Sequence, residues 1–138
     1  MRWPTKSLRN SGILHLSNRY VHELSGGQYQ LAQIARALAQ EPRVLLLDEP
    51  VTNLDLKHQV LVLETLRKIA RERGISILMS LHDVNLALKY SDRLVFMKDG
   101  KVVAYGLSPS TLGPSIIKEV YGVDTKVVWI DGGPRVII

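Results

Sequence analysis

Two short runs carry residue types suited to phosphate chemistry. One is Ser25-Gly26-Gly27-Gln28; the other is Asp48-Glu49, at the end of the apolar run Val44 to Leu47. Ser25 with Gln28 three residues on has the form of a capping box, so a helix is expected to begin here. The first turn of a helix carries unpaired N–H groups and partial positive charge, and both attract phosphate. Gly26 and Gly27 would let the backbone approach an anion without a Cβ in the way. The same residues equally suit an ordinary N-cap followed by two turn glycines. Asp48 and Glu49 close a strand-like run, and strands of open α/β sheets deliver their last residues to the edge where ligands bind. There Asp48 could hold Mg2+ through water, and Glu49 could orient or deprotonate an attacking water. A solvated acidic loop is the plainer alternative.

Two further positions join these. Asn53-Leu54-Asp55 precedes a helical pattern that Asp55 is well placed to cap. His82 follows the apolar run Ile75 to Ser80. If that run and Val44 to Leu47 are neighbouring parallel strands, Glu49 and His82 are aimed at one edge, where His82 could contact a terminal phosphate oxygen. His15, His22 and His58 read as surface or packing residues. No G-x-x-x-x-G-K-[ST] phosphate loop occurs in the sequence.

The elements that must position these residues alternate. A helix is expected from Ser25 to about Ala39, with Leu31, Ile34, Ala35 and Leu38 as its apolar stripe. The unbroken run Val44 to Leu47 predicts a strand covered on both faces. A helix over Lys57 to Arg73 has Gly74 as its C-cap. A strand over Ile75 to Ser80 and a short helix capped by Asp83 and reaching Tyr90 follow. Strand, helix, strand in this order predicts a right-handed parallel crossover. Beyond it, Asp99-Gly100 between Arg93–Lys98 and Lys101–Tyr105 predicts a hairpin. A helix over Ser110 to Val120 is expected next. A second hairpin, Lys126–Ile130 with Arg135–Ile138 around Asp131-Gly132-Gly133, closes the chain. Residues 1–12, with Trp3-Pro4 and Asn10-Ser11-Gly12, read as loop.

With 138 residues, 46% of them hydrophobic, the chain has material for one domain with a real core. The absence of cysteine excludes disulfides and thiolate-bound metals and fits a reducing compartment. No apolar run approaches the roughly 20 residues that span a bilayer. The net charge of +5 rests in good part on Lys57, Arg67, Lys68, Arg71 and Arg73. Along one amphipathic segment these read as a solvated face. Aromatic residues are not interleaved with them, so no nucleic-acid partner is expected.

Taken together, Leu24-Ser25-Gly26-Gly27-Gln28, the strand ending in Asp48-Glu49-Pro50, the Asn53-Leu54-Asp55 loop and His82 resemble the ATP-binding subunit of ABC transporters. They match that family's signature motif, Walker B, D-loop and H-switch in order and spacing. The resemblance runs from about Leu8 to Val128. Ser80-Leu81-His82-Asp83-Val84-Asn85-Leu86-Ala87 and Glu119-Val120-Tyr121-Gly122-Val123 look like the ATPases of iron–siderophore, haem and cobalamin importers.

The fold so implied is α/β: part of a RecA-like P-loop NTPase core, parallel strands with flanking helices plus a C-terminal antiparallel hairpin region. As one partial domain it divides into residues 1–24 (the end of a helical subdomain), 25–92 (the motif-bearing core) and 93–138 (hairpins and helix). The resemblance implies that Ser25, Gly26, Gly27 and Gln28 bind the γ-phosphate of ATP held by a second nucleotide-binding domain. Asp48 would serve Mg2+, Glu49 would be the general base and His82 would sense the γ-phosphate, with Asp55 on the dimer seam. A transmembrane permease would be the other partner, and the subunit would sit in the cytoplasm on the inner face of the membrane. The soluble ABC ATPases of DNA repair and translation, and a signature-only module acting in trans, share enough of the pattern to stand as alternatives.

The sequence departs from the family locally, with Val51 where Thr usually follows Glu-Pro and Tyr29 where Arg commonly follows the signature Gln. The P-loop, an adenine-stacking aromatic and the Q-loop glutamine would all lie upstream of residue 1. On this reading the chain alone does not hydrolyse ATP at a family-like rate, and its strands expose apolar edges and faces that invite association.

Overall fold

The computed structural model describes residues 12–138; of the loop expected over residues 1–12, all but Gly12 lies outside the described residues. The contacts group into two compact units, one ending at Leu81 and the other running His82–Ile138.

The first unit is built on two helices and a parallel strand pair. Helix α1 (Gly26–Leu38) buries Leu31, Ala32, Ile34, Ala35 and Leu38, the expected stripe at helical spacing. Helix α2 (Leu56–Arg73) packs on it and buries Val62, Leu63, Leu66 and Ile69. Gly74 ends α2 in the left-handed conformation, φ 62°, which glycine adopts without a Cβ penalty. The basic side of α2 is solvated: Lys57, Lys68 and Arg71 are exposed, Lys68 pairs with Glu72 at 3.8 Å, and Arg73 Nη1 reaches the Leu38 carbonyl at 3.5 Å.

Strand β1 (Val44–Leu47) pairs in parallel with β2 (Ser76–Met79), with Val44 opposite Ser76 and Leu47 opposite Met79. The connection through α2 is the expected crossover. The expectation that Val44–Leu47 is covered on both faces is corrected. Leu45 is buried, but Val44 is 56%, Leu46 69% and Leu78 61% exposed. An unbroken apolar run is the signature of two-sided burial, and here only one side is covered. The bare side is the apolar face the sequence reading expected this chain to show.

The second unit is antiparallel apart from its helices. Strands β3 (Leu94–Lys98) and β4 (Lys101–Leu107) are joined by Asp99-Gly100, with φ 50° and 74°: the primed turn whose twist suits a two-residue hairpin. Strands β5 (Lys126–Ile130) and β6 (Gly133–Ile137) use the same device at Asp131-Gly132, so β6 begins earlier than the expected Arg135. Helix α3 (Val84–Tyr90) is capped by Asp83, whose side chain accepts the Leu86 N–H. The Asn85 side chain then donates to the Val136 carbonyl and accepts the Val136 N–H, tying α3 to β6. The helix expected over 110–120 is split. A 3-10 turn, Pro109–Thr111, precedes α4 (Pro114–Tyr121), because Pro114 has no N–H to give and sits best in a first helical turn. Leu88, Leu94, Phe96, Leu112 and Ile117 form this unit's core. Among the described residues no helix is long and apolar enough to cross a membrane.

Candidate functional site

Because β1 and β2 run in parallel and in register, Asp48-Glu49 and Ser80 leave the sheet at one edge. Ser80 Oγ accepts the Glu49 N–H at 2.7 Å and donates to Asp48 Oδ1 at 2.7 Å. One hydroxyl thus fixes the backbone of one carboxylate residue and the side chain of the other. Glu49 stands at φ 47°, a left-handed conformation that costs a non-glycine residue of order 1 kcal/mol. The strain is held by Ser80 on one side and by Thr52 on the other. Thr52 gives its N–H to the Glu49 carbonyl at 3.2 Å and its hydroxyl to Glu49 Oε2 at 3.0 Å. Val51, the departure from the resembled family, is buried with Pro50, so an apolar side chain suits the site.

Ser80 was not among the residues singled out from sequence. The available signal was a hydroxyl at the last position of a strand expected beside β1. Removing it is expected to cost about 1 kcal/mol of stability, the usual net worth of such a bond. Urea unfolding should show this loss for Ser80→Ala and its recovery in Ser80→Thr.

At the other motif, Ser25 is the N-cap of α1. Its side chain accepts the Gln28 N–H at 3.4 Å, and Gln28 Oε1 accepts the Ser25 N–H at 3.1 Å. The capping box is formed, yet Ser25 Oγ keeps its own proton to donate and the Gln28 amide keeps its NH2. Gly26 is exposed, and a Cβ there would stand 3.3 Å from Leu54 Cδ2, a contact a side chain could relieve. Gly27 is different: it is buried against His58 of α2. Gly26 thus has room in front of it, whereas at Gly27 packing alone already requires glycine. Tyr29 is partly exposed, and its hydroxyl accepts from Gln33 Nε2 at 2.8 Å.

Asp55 is the N-cap of α2, its Oδ1 accepting the His58 N–H at 2.9 Å. His58 Nδ1 lies 2.8 Å from each Asp55 carboxylate oxygen. The backbone N–H of His58, then its ring, hold the Asp55 carboxyl below the usual aspartate range. The lowered value means this cap is complete above the ordinary carboxylate range and is lost as pH falls through the lowered one. Sequence alone marks His58 as a surface or packing residue; the structure gives it the Asp55 carboxylate as partner.

His82 is exposed and opens the second unit, two residues beyond Ser80. Of the residues the sequence pointed to, the first unit brings together Asp48 and Glu49 at the sheet edge, and Ser25 to Gln28 with Asp55 beside α2. His82 is placed in the other unit.

Among the described residues no group of three or more His, Cys, Asp or Glu could cage a metal ion. Asp48, a hard oxygen donor held in one orientation by Ser80, fits Mg2+ all the same. That ion is commonly held by one or two carboxylates together with water and substrate phosphates.

Comparison with known proteins gives a consistent result. Residues 2–52 match the family described as ABC transporter. The hemin import ATP-binding protein HmuV of Bordetella avium is 45% identical over 130 residues, covering 89% of this chain and 50% of its own length. The ferric enterobactin transport ATP-binding protein FepC of Escherichia coli is 41% identical over 135 residues, covering 96% of this chain and 50% of its own length. Among solved structures, an ABC transporter in an inward-facing conformation superposes with a TM-score of 0.84 at 25% identity, over 96% of this chain and 53% of that one. The chain spans about half the length of the curated relatives it matches.

Proposed function

From the premise that the chain belongs to the ABC transporter ATP-binding family, we propose that it supplies the signature, Walker B, D-loop and H-switch portion of an importer ATPase. The observation that carries this reading is the pairing of two half-sites in one unit. A capped helix start offers Ser25 and Gly26 outward, and a sheet edge offers Asp48 and Glu49 on a separate turn. A phosphate facing Ser25 and Gly26 is served by N–H groups, a hydroxyl and the helix's positive end. A phosphate facing Asp48 and Glu49 is served by a metal-binding carboxylate and a base, with no cradle in this sequence. Each half suits a different nucleotide, as in a head-to-tail pair of nucleotide-binding domains.

In that pair Ser25, Gly26, Gly27 and Gln28 bind the γ-phosphate of the partner's ATP, and Asp55 lies at the seam. Asp48 holds Mg2+, which neutralises phosphate charge when bound. Glu49 accepts a proton from the attacking water, and His82 orients the terminal phosphate. The complete subunit works in the cytoplasm against a transmembrane permease on the inner face of the membrane. Haem or iron-chelate uptake fits best, because the similar proteins named above are import and transport subunits for hemin and ferric enterobactin.

The 138-residue chain by itself is expected to show no family-like ATP turnover; turnover that Glu49→Gln abolishes would overturn this. Mixed with a hydrolysis-competent ABC ATP-binding domain, the chain should stimulate that partner. Ser25→Arg should remove the stimulation, by placing bulk and charge where the phosphate must sit. Unchanged stimulation in that variant would rule out the trans role.

A further inference from the structure

Gly27 and Asp55 belong to different motifs, 28 positions apart, yet both touch the same side chain. A Cβ on Gly27 would stand 2.8 Å from His58 Cγ and 2.9 Å from His58 Cβ, closer still to Cδ2. The atoms in the way include the fixed root of the side chain, so a rotamer change cannot clear them. From its other side the same ring presents Nδ1 to both Asp55 oxygens at 2.8 Å. An ionised carboxylate only accepts, so Nδ1 carries the proton and donates it. The ring is 29% exposed, the carboxylate 66%. One imidazole therefore spans the gap between the start of α1 and the loop entering α2, and each end of it is geometrically constrained.

We propose that His58 is a positioning residue. It fixes the Asp55 carboxylate relative to the Ser25-Gly26-Gly27 turn, so that the two elements meeting the partner's nucleotide move as one rigid joint. The inference rests on the trans role proposed above and adds a named residue to it. Gly27 is glycine here because the ring needs its place. His58 is histidine because the joint needs both a planar ring whose Cβ–Cγ–Cδ2 edge lies against the glycine and a donor for the carboxylate. Neither phenylalanine nor asparagine supplies both.

The test separates the two ends of the ring. In the partner-stimulation assay, His58→Phe keeps a ring against Gly27 but loses the donor. It should lower the stimulated kcat about tenfold, the order expected of a modest misplacement. The partner's apparent KM for ATP should stay within about twofold, because uniform binding is not what is lost. His58→Asn, which keeps a donor near the Nδ1 position, should recover a large part of that rate. A His58→Phe variant as active as the parent, or equal losses in the two variants at equal Tm, would overturn the proposal.

Should the parent chain fail to stimulate the partner at all, the trans role falls, and the positioning role falls with it. A stability cycle then decides whether the joint exists as a structural pairing. Gly27→Ala should lower Tm by about 5 °C or more. Adding His58→Gly, which removes the Cβ as well as the ring, should recover part of that loss; additive losses would deny the joint itself.

Discussion

With a P-loop half from a hydrolysing relative joined ahead of residue 1, Glu49→Gln should lower kcat for ATP hydrolysis by about 10²–10⁴-fold, the range of a lost general base. The apparent KM for ATP should move by no more than about threefold, because Gln is isosteric and the phosphate contacts lie elsewhere. Local geometry makes this a clean substitution. Gln carries the same burden at φ 47° as Glu, keeps its N–H for Ser80 Oγ, and can accept the Thr52 hydroxyl through its amide oxygen. What disappears is the ability to take a proton. Steady-state turnover with parallel nucleotide-binding measurements checks this. An equal fall in binding and turnover would mean that Glu49 holds nucleotide and is not the base.

Leu66→Ala should destabilise the chain by about 3 kcal/mol, within the usual range for a buried leucine. Leu66 is 1% exposed and shares the buried stripe of α2 with Val62, Leu63 and Ile69; α2 packs against α1, whose Ile34 and Leu38 are also buried. For a small domain the corresponding fall in Tm is roughly 10–20 °C. Leu61, 47% exposed on the same helix, is the control, and its alanine variant should stay within about 0.5 kcal/mol of the parent. Because α1 and α2 carry Ser25 and Asp55 at their N-caps, the Leu66 variant should also lose partner stimulation near its lowered Tm. Thermal and urea unfolding of the three proteins decide the matter; equal losses at positions 61 and 66 would contradict this core.

Local chemistry explains which parts of the structure were readable. Ser25 with Gln28, Asp55 and Asp83 mark helix starts through bonds made within four residues, Gly74 marks a helix end by its left-handed backbone, and each stands where expected. Asp99-Gly100 needs only its own backbone preferences to announce a hairpin. The parallel pairing of β1 with β2 follows from the crossover rule. What escaped the reading depends on partners far away in sequence. Ser80 meets Asp48 across 32 positions, and His58 meets Gly27 across 31. Nothing within a few residues of either one signals that contact. The bare side of β1 escaped for a related reason, since an apolar run records suitability for burial and not whether a covering layer is present.

The left-handed backbone at Glu49 has a consequence for how such a sequence drifts. Asparagine and glycine bear a positive φ far more easily than glutamate does. Either would ease the turn while discarding the carboxylate. A lineage released from the need to hydrolyse ATP would therefore be drawn toward inactive residues at this one position by foldability alone. Screens of variant libraries for yield or heat resistance would favour the same replacements. On the base role proposed above, a glutamate at position 49 stands for chemistry against the backbone preference of the chain.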